Sequence, residues 1–391
     1  MRCETFRFDE VTINFDRKRI PLSAKQRSER QENYRYYGAQ GVIDYVDDYI
    51  FDGTYLLIAE DGENLKSQKQ NIAQIAKGKF WVNNHAHIVQ TNEHCDLQYL
   101  YYLINSMDLS GYITGSAQPK LSQANLNAVT LQLPSIEEQK KIVAIVGALD
   151  DKIELNNKIN ENLERQAQTL FKKWFIENPD VPLWRKGTFS DLITKTISGD
   201  WGKDSPSGNN SEMVYCIRGA DIPEIRAGNK GKMPTRYILP KNYAAKQLVD
   251  GDIVVEISGG SPTQSTGRAA IISTALLNRF GKKMVCTNFC KALKPKAGYS
   301  MYVYHYWQYF YDMSVFFSYE NGTTGIKNLD FNGFIETEPI HIAPAELVDK
   351  FDIFCQTVFS KVYSNGLENE RLAELRDVLL PKLMSGEIQI L

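Results

Sequence analysis

Histidine and acidic side chains are the groups of this chain with the most chemical potential. His85 and His87 lie two residues apart in NNHAHIV, where an extended strand would place both on one face. Two histidines without a third ligand nearby make a weak zinc site, because structural zinc is held by four His or Cys ligands. Asp61, Glu63 and Glu256 lie where a nuclease could place acids, but no Glu-x-Lys partner follows them. We interpret these acids as turn and edge residues.

The motifs of several enzyme classes are missing from the sequence. An adenine methyltransferase would need a glycine-rich cofactor loop and an Asn/Asp-Pro-Pro-aromatic tetrapeptide, and Pro-Pro never occurs here. The phosphate loop GxxxxGKS/T, the metalloprotease motif HExxH and the hydrolase motif GxSxG are also absent. The sequence therefore predicts a non-catalytic chain that holds no metal and no cofactor of its own.

Length and composition predict a cytoplasmic protein with two or more domains. The chain has 391 residues and 43% hydrophobic content, which is too much for one ordinary core. It has no apolar run of about 18 residues for a membrane span, and its start, MRCETFRFDE, lacks the apolar core of a signal peptide. None of the six cysteines forms a CxxC pair, so we expect buried small residues in a reducing cytosol.

Positive charge is concentrated in two places although the net charge is −2. Residues 16–35 contain seven Lys or Arg and three acids, and residues 225–246 contain six Lys or Arg and no acid. The net charge alone argues against nucleic-acid binding, but charge distribution matters more than its sum. On this evidence alone, two solvated basic faces are a better interpretation than two binding surfaces.

Segments of the first half recur in the second half in the same order. The strand pattern YYGAQGVI in the first half matches VYCIRGADI in the second. An Asp-Gly turn followed by a buried strand is then found in both halves, as FDGTYLLIAEDG and VDGDIVVEISGG. The alternating strand FWVNNHAHIV matches KMVCTNFCKAL. An aromatic helix, a small polar loop ending in Lys, and a strand followed by proline and a helix start come next in both halves. The sequence therefore predicts a duplication: an α+β protein made of two similar mixed α/β domains.

Each half ends in a long predicted helix. The first follows Pro134, with Ser135 and Glu138 as a capping box, and runs to about Glu177. Alternating steps of four and three residues mark the helix face that a coiled coil turns to its partner helix, which we call the seam. In this helix the seam consists of Ile142, Val146, Leu149, Ile153, Asn156, Asn160, Leu163, Ala167, Leu170 and Trp174. The same steps after Pro344 give Leu347, Phe351, Phe354, Val358, Lys361, Asn365, Glu368, Leu372, Leu375 and Leu379. Apolar ends and polar middles favour an antiparallel coiled coil, and residues 364–366 are expected to soften or interrupt the second helix.

These helices resemble those of a known family. Residues 136–175, IEEQKKIVAIVGALDDKIELNNKINENLERQAQTLFKKWF, are similar to the central helix of the specificity subunit of type I restriction–modification systems. LRDVLLPKLMSGEI at 375–388 resembles its C-terminal signature, and LQLPSIEEQ its entry into the central helix. The second helix departs from the pattern, since it opens with APAELVDKF. The resemblance follows the family order: recognition domain at 1–134, helix at 135–178, recognition domain at 179–343, helix at 344–391.

The resemblance implies a subunit that selects DNA for others to modify. Each recognition domain would read one half of a bipartite site on double-stranded DNA, and the helices would set the spacing and bind two methyltransferase subunits. S-adenosylmethionine, ATP and Mg²⁺ would belong to the partners, which include restriction subunits in the full complex. Two alternatives remain open: a non-catalytic coiled-coil adaptor, and the recognition part of a single-chain restriction–methylation enzyme.

Candidate DNA contacts lie in loops rich in basic and amide side chains, because phosphates attract Lys and Arg, and Arg and Gln can pair with base edges. His85 or His87 is a further candidate for facing DNA. In the first head the predicted contacts are Lys18, Arg19, Lys25, Arg27, Arg30, Arg35, Tyr37, Gln40, Gln118 and Lys120. In the second head they are Arg226, Lys230, Lys232, Arg236, Thr263, Gln264, Ser265, Arg268, Thr323, Thr324 and Lys327.

Overall fold

The computed structural model describes residues 2–115, 118–261, 264–322 and 326–390. The chain divides into two compact units: unit 1 comprises residues 1–151 and 373–391, and unit 2 comprises residues 152–372. Helices make up 44% and strands 26% of the structure, which confirms the predicted α+β class. No helix among the described residues is long and apolar enough to cross a membrane.

Unit 1 is a strand-rich head joined to parts of two long helices. Its helices are α1 (Phe8–Val11), α2 (Ala24–Ser28), α3 (Asn64–Ser67), α4 (Leu97–Ser106), α5 (Gln123–Asn127) and the start of α6 (Ile136–Phe175). Its strands are β1 (Glu4–Arg7), β2 (Thr12–Asn14), β3 (Tyr34–Gly38), β4 (Gly41–Val46), β5 (Phe51–Ala59), β6 (Ala73–Val82), β7 (Ala86–Thr91) and β8 (Thr130–Leu133).

The main sheet of unit 1 is strongly curved. Its order is β2-β7-β5-β6-β3-β4, in which only β6 and β3 are parallel. Phe80 pairs with Phe51 at one end of β5, and Ala86 pairs with Ala59 at the other. Phe80 and Ala86 thus lie opposite the two ends of β5, which in a straight nine-residue strand would be about 26 Å apart. The short chain between Phe80 and Ala86 cannot span that distance, so the sheet must bend.

A pair of glycines permits this bend. Gly53 in β5 lies opposite Gly78 in β6, and their φ angles are +133° and +81°. Glycine adopts such angles readily because it has no Cβ. The Asp-Gly predicted as a turn before this strand is therefore wrong for unit 1: Asp52 and Gly53 keep their ladder partners inside β5. In unit 2 the equivalent Asp250-Gly251 is a turn, as predicted.

Unit 2 has the same kinds of elements. Its helices are α7 (Ile222–Arg226), α8 (Pro240–Lys246), α9 (Thr274–Arg279), α10 (Ser300–Asp312), α11 (Phe331–Thr337) and most of α12 (Ala345–Ser385). Its strands are β9 (Arg185–Gly187), β10 (Ile193–Ser198), β11 (Glu212–Ile217), β12 (Thr235–Ile238), β13 (Ile253–Glu256), β14 (Ser258–Gly259), β15 (Ala269–Ile271), β16 (Met284–Cys286), β17 (Cys290–Pro295), β18 (Glu320–Asn321), β19 (Lys327–Leu329) and β20 (Ile340–Ile342).

Strand pairing in unit 2 repeats that of unit 1, which confirms the predicted internal repeat. Strand β13 lies between β17 and β15 as β5 lies between β7 and β6, and β10 borders β17 as β2 borders β7. Strands β11 and β16 form a parallel pair, as do β3 and β6. The long strand β6 corresponds to two strands, β15 and β16, with α9 between them. Pairs β9–β20 and β1–β8 close the two heads in the same way.

The core of unit 2 is rich in aromatic side chains and encloses one histidine. His305 on α10 is 1% exposed, and neither ring nitrogen has a hydrogen-bond partner within the described residues. Its ring lies 6.0 Å from that of Phe171, 5.2 Å from Phe351 and 5.9 Å from Phe359. Burial, with a smaller contribution from the charge of Arg226, lowers the pKa of His305 to about 3.

His305 is therefore expected to make unit 2 sensitive to acid. An unfolded histidine has a pKa of about 6.5. Below that pH, this histidine is therefore protonated in the unfolded chain but stays neutral in the folded chain. Folding stability should be fully present above about pH 6.5 and should fall as the pH is lowered toward 3. Between pH 6.5 and 5, the free energy of unfolding of the wild-type protein should fall by about 2 kcal/mol more than that of a His305→Leu variant. Urea unfolding of both proteins at each pH tests this, and equal pH slopes would contradict it.

The two long helices pair antiparallel within each unit. A capping box starts α6 as predicted: Glu138 N donates to Ser135 Oγ at 3.3 Å, and Ser135 N donates to Glu138 Oε2 at 3.3 Å. In unit 1, Arg376 donates to Asp150 at 2.8 Å. In unit 2 the helices are joined by side-chain amides, with Asn156 donating to Asn369 at 2.9 Å and Asn365 to Asn160 at 2.8 Å. The polar centre predicted for the seam is thus a buried asparagine cluster.

The predicted 3.5-residue seam is correct only in part. In α6, Ile142, Val146, Asn156, Asn160 and Ala167 are buried, but Leu170 and Trp174 are half-buried while Phe171 and Phe175 are buried. A helix of 3.6 residues per turn drifts away from a strict heptad repeat, which explains the change. In α12, Lys361 and Leu375 are exposed, and the central buried positions are Val362, Tyr363, Asn365, Gly366 and Asn369.

Residues 364–366 do not interrupt the second helix, contrary to prediction. Helix α12 runs without a break from Ala345 to Ser385. Gly366 lies against the backbone of Gly228, so that a methyl group on Gly366 would overlap the Gly228 carbonyl oxygen. The glycine permits a close approach of two chain segments, and the surrounding packing supplies the stability that the residue lacks by itself.

Candidate nucleic-acid interface

Four segments of unit 1 bring polar side chains together beyond the end of β5. The segments are the β3–β4 turn, residues 60–62, the β6–β7 turn and residues 118–121. Backbone hydrogen bonds join the last three segments: Glu60 N donates to His85 O at 2.9 Å, Gly62 N to Pro119 O at 3.2 Å, and Leu121 N to Glu60 O at 2.8 Å. We call the exposed or half-buried side chains of this region the unit-1 loop cluster: Gln40, Asp61, His85, Gln118 and Lys120.

Buried charges support this cluster from below. Arg19 donates to Glu60 at 2.8 Å, and Lys120 Nζ lies 3.3 Å from the same carboxylate. His87, 1% exposed, contacts Asp16 with Nδ1 at 2.6 Å and the carbonyl of Leu121 with Nε2 at 2.8 Å. Burial raises the pKa of the Asp16 carboxyl, but the hydrogen bond and charge of His87 outweigh it and the pKa is lowered. The ionised network holds residues 118–121 against the sheet.

The remaining basic residues predicted for the first head lie elsewhere. Arg27 pairs with Asp44 at 2.8 Å and Arg30 with Asp47 at 2.7 Å, and their guanidinium groups lie over the rings of Tyr36 and Trp81. The exposed members without an ion pair in the described ranges are Lys18, Lys25 and Arg35, while Tyr37 is 5% exposed and part of the core. The sequence grouped residues around α2 with Gln40, Gln118 and Lys120, and the structure does not bring these two groups together.

The corresponding end of unit 2 is built from similar parts. Glu256, 4% exposed, receives two hydrogen bonds from Arg268, at 2.8 and 2.7 Å. Glu320 pairs with Lys327 at 2.8 Å and accepts hydrogen bonds from Thr266. Gln264 is exposed beside these residues, whereas Ser265 is buried. The exposed and half-buried side chains Gln264, Arg268 and Lys327 form the unit-2 loop cluster. Thr263, Thr323 and Thr324, also predicted as contacts, lie outside the described residues.

Two of the four contacts predicted in the basic stretch at 225–246 are directed inward. Arg226 donates twice to Glu164 on α6, at 3.0 and 2.5 Å. Arg236 is 6% exposed, pairs with Asp204, donates to Trp201 O at 2.9 Å and lies 4.0 Å above the Trp201 ring. Lys230 and Lys232 are exposed and have no ion pair in the described chain. Arg226 and Arg236 therefore fasten unit 2 together, and the two lysines remain available to a polyanion.

Two exposed side chains, His85 and Trp201, have surroundings that the sequence did not predict. His85 was weighed as a strand histidine, metal ligand or DNA-facing residue, but its pairing with Asp61 was not foreseen; the structure places it in a turn, whereas His87 is interior. Trp201 is 38% exposed in the loop after β10. A tryptophan within the polar segment SGDWGK, outside any apolar pattern, was the available signal. Among the described residues, no group of three His, Cys, Asp or Glu side chains could hold a metal ion.

Comparison with known proteins identifies similar sequences and a similar fold. The family model described as type I restriction modification DNA specificity domain matches residues 2–165. A putative type I restriction enzyme specificity subunit of Haemophilus influenzae is 30% identical over 258 residues, which cover 64% of each chain. The MjaIX specificity subunit of Methanocaldococcus jannaschii is 27% identical over 323 residues, covering 75% of this chain and 69% of that one.

One solved structure has the same fold over nearly the whole chain. The crystal structure of a type I restriction–modification S subunit from M. genitalium matches with a TM-score of 0.56, covering 98% of this chain and 96% of that one, at 14% identity. At this identity the match establishes the fold alone. The fold is thus one that already occurs in a solved protein.

Proposed function

We propose that this chain is a type I restriction–modification specificity subunit, as its similarity to that family over residues 2–165 and to a subunit of Haemophilus influenzae indicates, and that it selects the DNA sequence on which a restriction–modification complex acts. Each head reads one half of a bipartite site. Base recognition requires hydrogen bonds to base edges, and phosphate contacts position the protein without specifying sequence. Exposed amides beside cations anchored by buried acids, as in both loop clusters, suit these two tasks.

The repeated strand pairing is the observation that carries this proposal. Both heads end in loops that follow the same strands, β5 and β6 in one unit and β13 and β16 in the other. In both clusters the basic side chains pair with glutamates, with Glu60 in the first cluster and Glu256 and Glu320 in the second. The exposed side chains differ, with His85 and Gln118 in one and Gln264 and Arg268 in the other. Two similar heads with different exposed groups suit the reading of two different half-sites.

The chemistry of the complex is assigned to partner subunits. Two methyltransferase subunits bind the long helices and carry S-adenosylmethionine, and restriction subunits bring ATP and Mg²⁺, all in the cytoplasm. Exposed apolar side chains on these helices support docking there: Ile145, Leu375 and Val378 in unit 1, and Leu155, Ile353 and Leu367 in unit 2. Exposed apolar surface of this kind is typical of protein interfaces. The helices also set the gap between the two half-sites.

Methylation mapping tests the proposal. The chain and the methyltransferase of its own locus would be co-expressed in a host without either, and methylated adenines mapped at single-base resolution. The expected result is a new gapped, two-part motif, absent when the methyltransferase is expressed alone. A stable complex that adds no methylation would contradict the proposal and favour a non-catalytic adaptor.

A further inference from the structure

His85 is an exposed histidine whose position is fixed by three hydrogen bonds. Its backbone N donates to Asn83 Oδ1 at 2.8 Å, and its carbonyl accepts from Glu60 N at 2.9 Å. Its ring contacts Asp61 through Nδ1 at 2.6 Å, while the side chain remains 47% exposed. A polar side chain that is both locked and exposed is prepared to bind a ligand, because little rotamer freedom is left to lose.

The contact with Asp61 determines what the other ring nitrogen can do. Nδ1 donates to the carboxylate, so Nε2 is an acceptor in the neutral ring and a donor in the imidazolium. Within the described residues, Nε2 has no hydrogen-bond partner. The imidazolium therefore offers one N–H to a group outside the protein, while its other N–H is held by the Asp61 carboxylate.

The charged groups around His85 come from three neighbouring segments. Asp61 contacts the ring directly, and Glu60 on the same segment is already paired with Arg19 and Lys120. Arg19 also reaches the β6–β7 turn, where it donates to the Asn84 carbonyl at 3.4 Å. Lys120 belongs to the segment whose backbone bridges Asp61. Asp61 is thus the acid left to pair with the ring.

We propose that His85, held by Asp61, is a DNA contact of unit 1 that binds as the imidazolium. It donates Nε2–H to a hydrogen-bond acceptor on DNA, which is a phosphate oxygen or a purine N7 or O6. This inference rests on the proposed DNA-reading function and adds a residue and a charge state to it. Because the contact requires a bound proton, DNA affinity should rise as the pH is lowered.

His94 provides a matched control in the same unit. It is another exposed histidine, but it lies outside the unit-1 loop cluster and stacks on Phe6 with ring centroids 5.5 Å apart. Its substitution removes the same ionisable group without touching the proposed contact. The buried His87 is retained in both variants, so any pH effect that it causes is common to them.

The experiment measures DNA affinity of the complex with its methyltransferase at pH 6 and pH 8. The probe is a duplex that carries the mapped motif, used at constant ionic strength, and the proteins are wild type, His85→Gln and His94→Gln. At pH 6, His85→Gln should bind roughly tenfold more weakly than wild type, which corresponds to the loss of one charged hydrogen bond. Its affinity should change little up to pH 8, whereas wild type and His94→Gln should both weaken.

Salt dependence separates the two kinds of acceptor. If His85 binds a phosphate, His85→Gln should weaken binding to all duplexes and reduce the salt slope by about one. If it binds a base, the loss should be confined to duplexes with the motif. A His85→Gln complex with wild-type affinity and wild-type pH dependence would overturn the inference. Failure of the wild-type complex to prefer its mapped motif would instead count against the proposed function.

Discussion

Alanine at position 366 is expected to destabilise unit 2, although alanine normally stabilises a helix. In an ordinary helix interior, Gly→Ala gains about 0.5–1 kcal/mol. Here the new methyl group would overlap the carbonyl oxygen of Gly228. The loop that contains Gly228 cannot easily move away from the helix. Arg279 donates to Gly228 O at 2.9 Å and to Tyr363 O at 2.7 Å, which fastens loop and helix together. We expect a loss of about 3 kcal/mol, the cost of overpacking against backbone.

Gly147 supplies the control, because it is also a buried glycine inside a long helix. A methyl group there would lie 3.1 Å from the side-chain nitrogen of Gln98, the end of a flexible side chain. Gly147→Ala should therefore change stability by less than about 1 kcal/mol. Urea unfolding of Gly366→Ala is followed by tryptophan fluorescence, since four of the five tryptophans, Trp174, Trp184, Trp201 and Trp307, are in unit 2. Both variants are also followed by circular dichroism, which reports on both units, because Gly147 is in unit 1. If Gly366→Ala stabilised the protein as in an isolated helix, the close contact with Gly228 would be refuted.

Exchange of residues 1–134 for the first head of a relative is expected to change one half of the methylated motif and leave the other half intact. Methylation at the original sites should fall to background, because each mismatched base pair costs about 1–3 kcal/mol and a half-site contains several. The exchange keeps both long helices, and the graft must preserve their contact with the head. Gln139 on α6 is fully buried there and accepts from Asp96 N at 2.8 Å and donates to His94 O at 2.9 Å.

The reciprocal exchange of residues 179–343 is the control for this result. It should change the opposite half of the motif and leave the first half as it was. Methylated adenines mapped in both hybrids, beside the parent complex, give the measurement. A hybrid that assembles with its partners yet alters both halves would show that the heads do not read DNA independently.

The basic residues illustrate what composition cannot predict about a binding surface. Counting Lys and Arg located two positive stretches, but it could not distinguish a guanidinium that faces solvent from one that is already paired. Arg226 and Lys230 are four residues apart; the first is bound to Glu164 on a distant helix and the second is exposed. An ion pair between residues 62 positions apart depends on the tertiary fold, so no local sequence pattern predicts it.

The sequence by itself determined the features that depend on neighbouring residues. The capping box at Ser135, the extent of the long helices and the order of repeated elements follow from side-chain periodicity and local hydrogen bonding. The tertiary structure alone decided that Gly366 is a close contact within a continuous helix, and that His85 is exposed while His87, two residues later, is buried between Asp16 and Leu121. These outcomes depend on which distant segment lies opposite each residue, and burial and pairing energies are set by that segment.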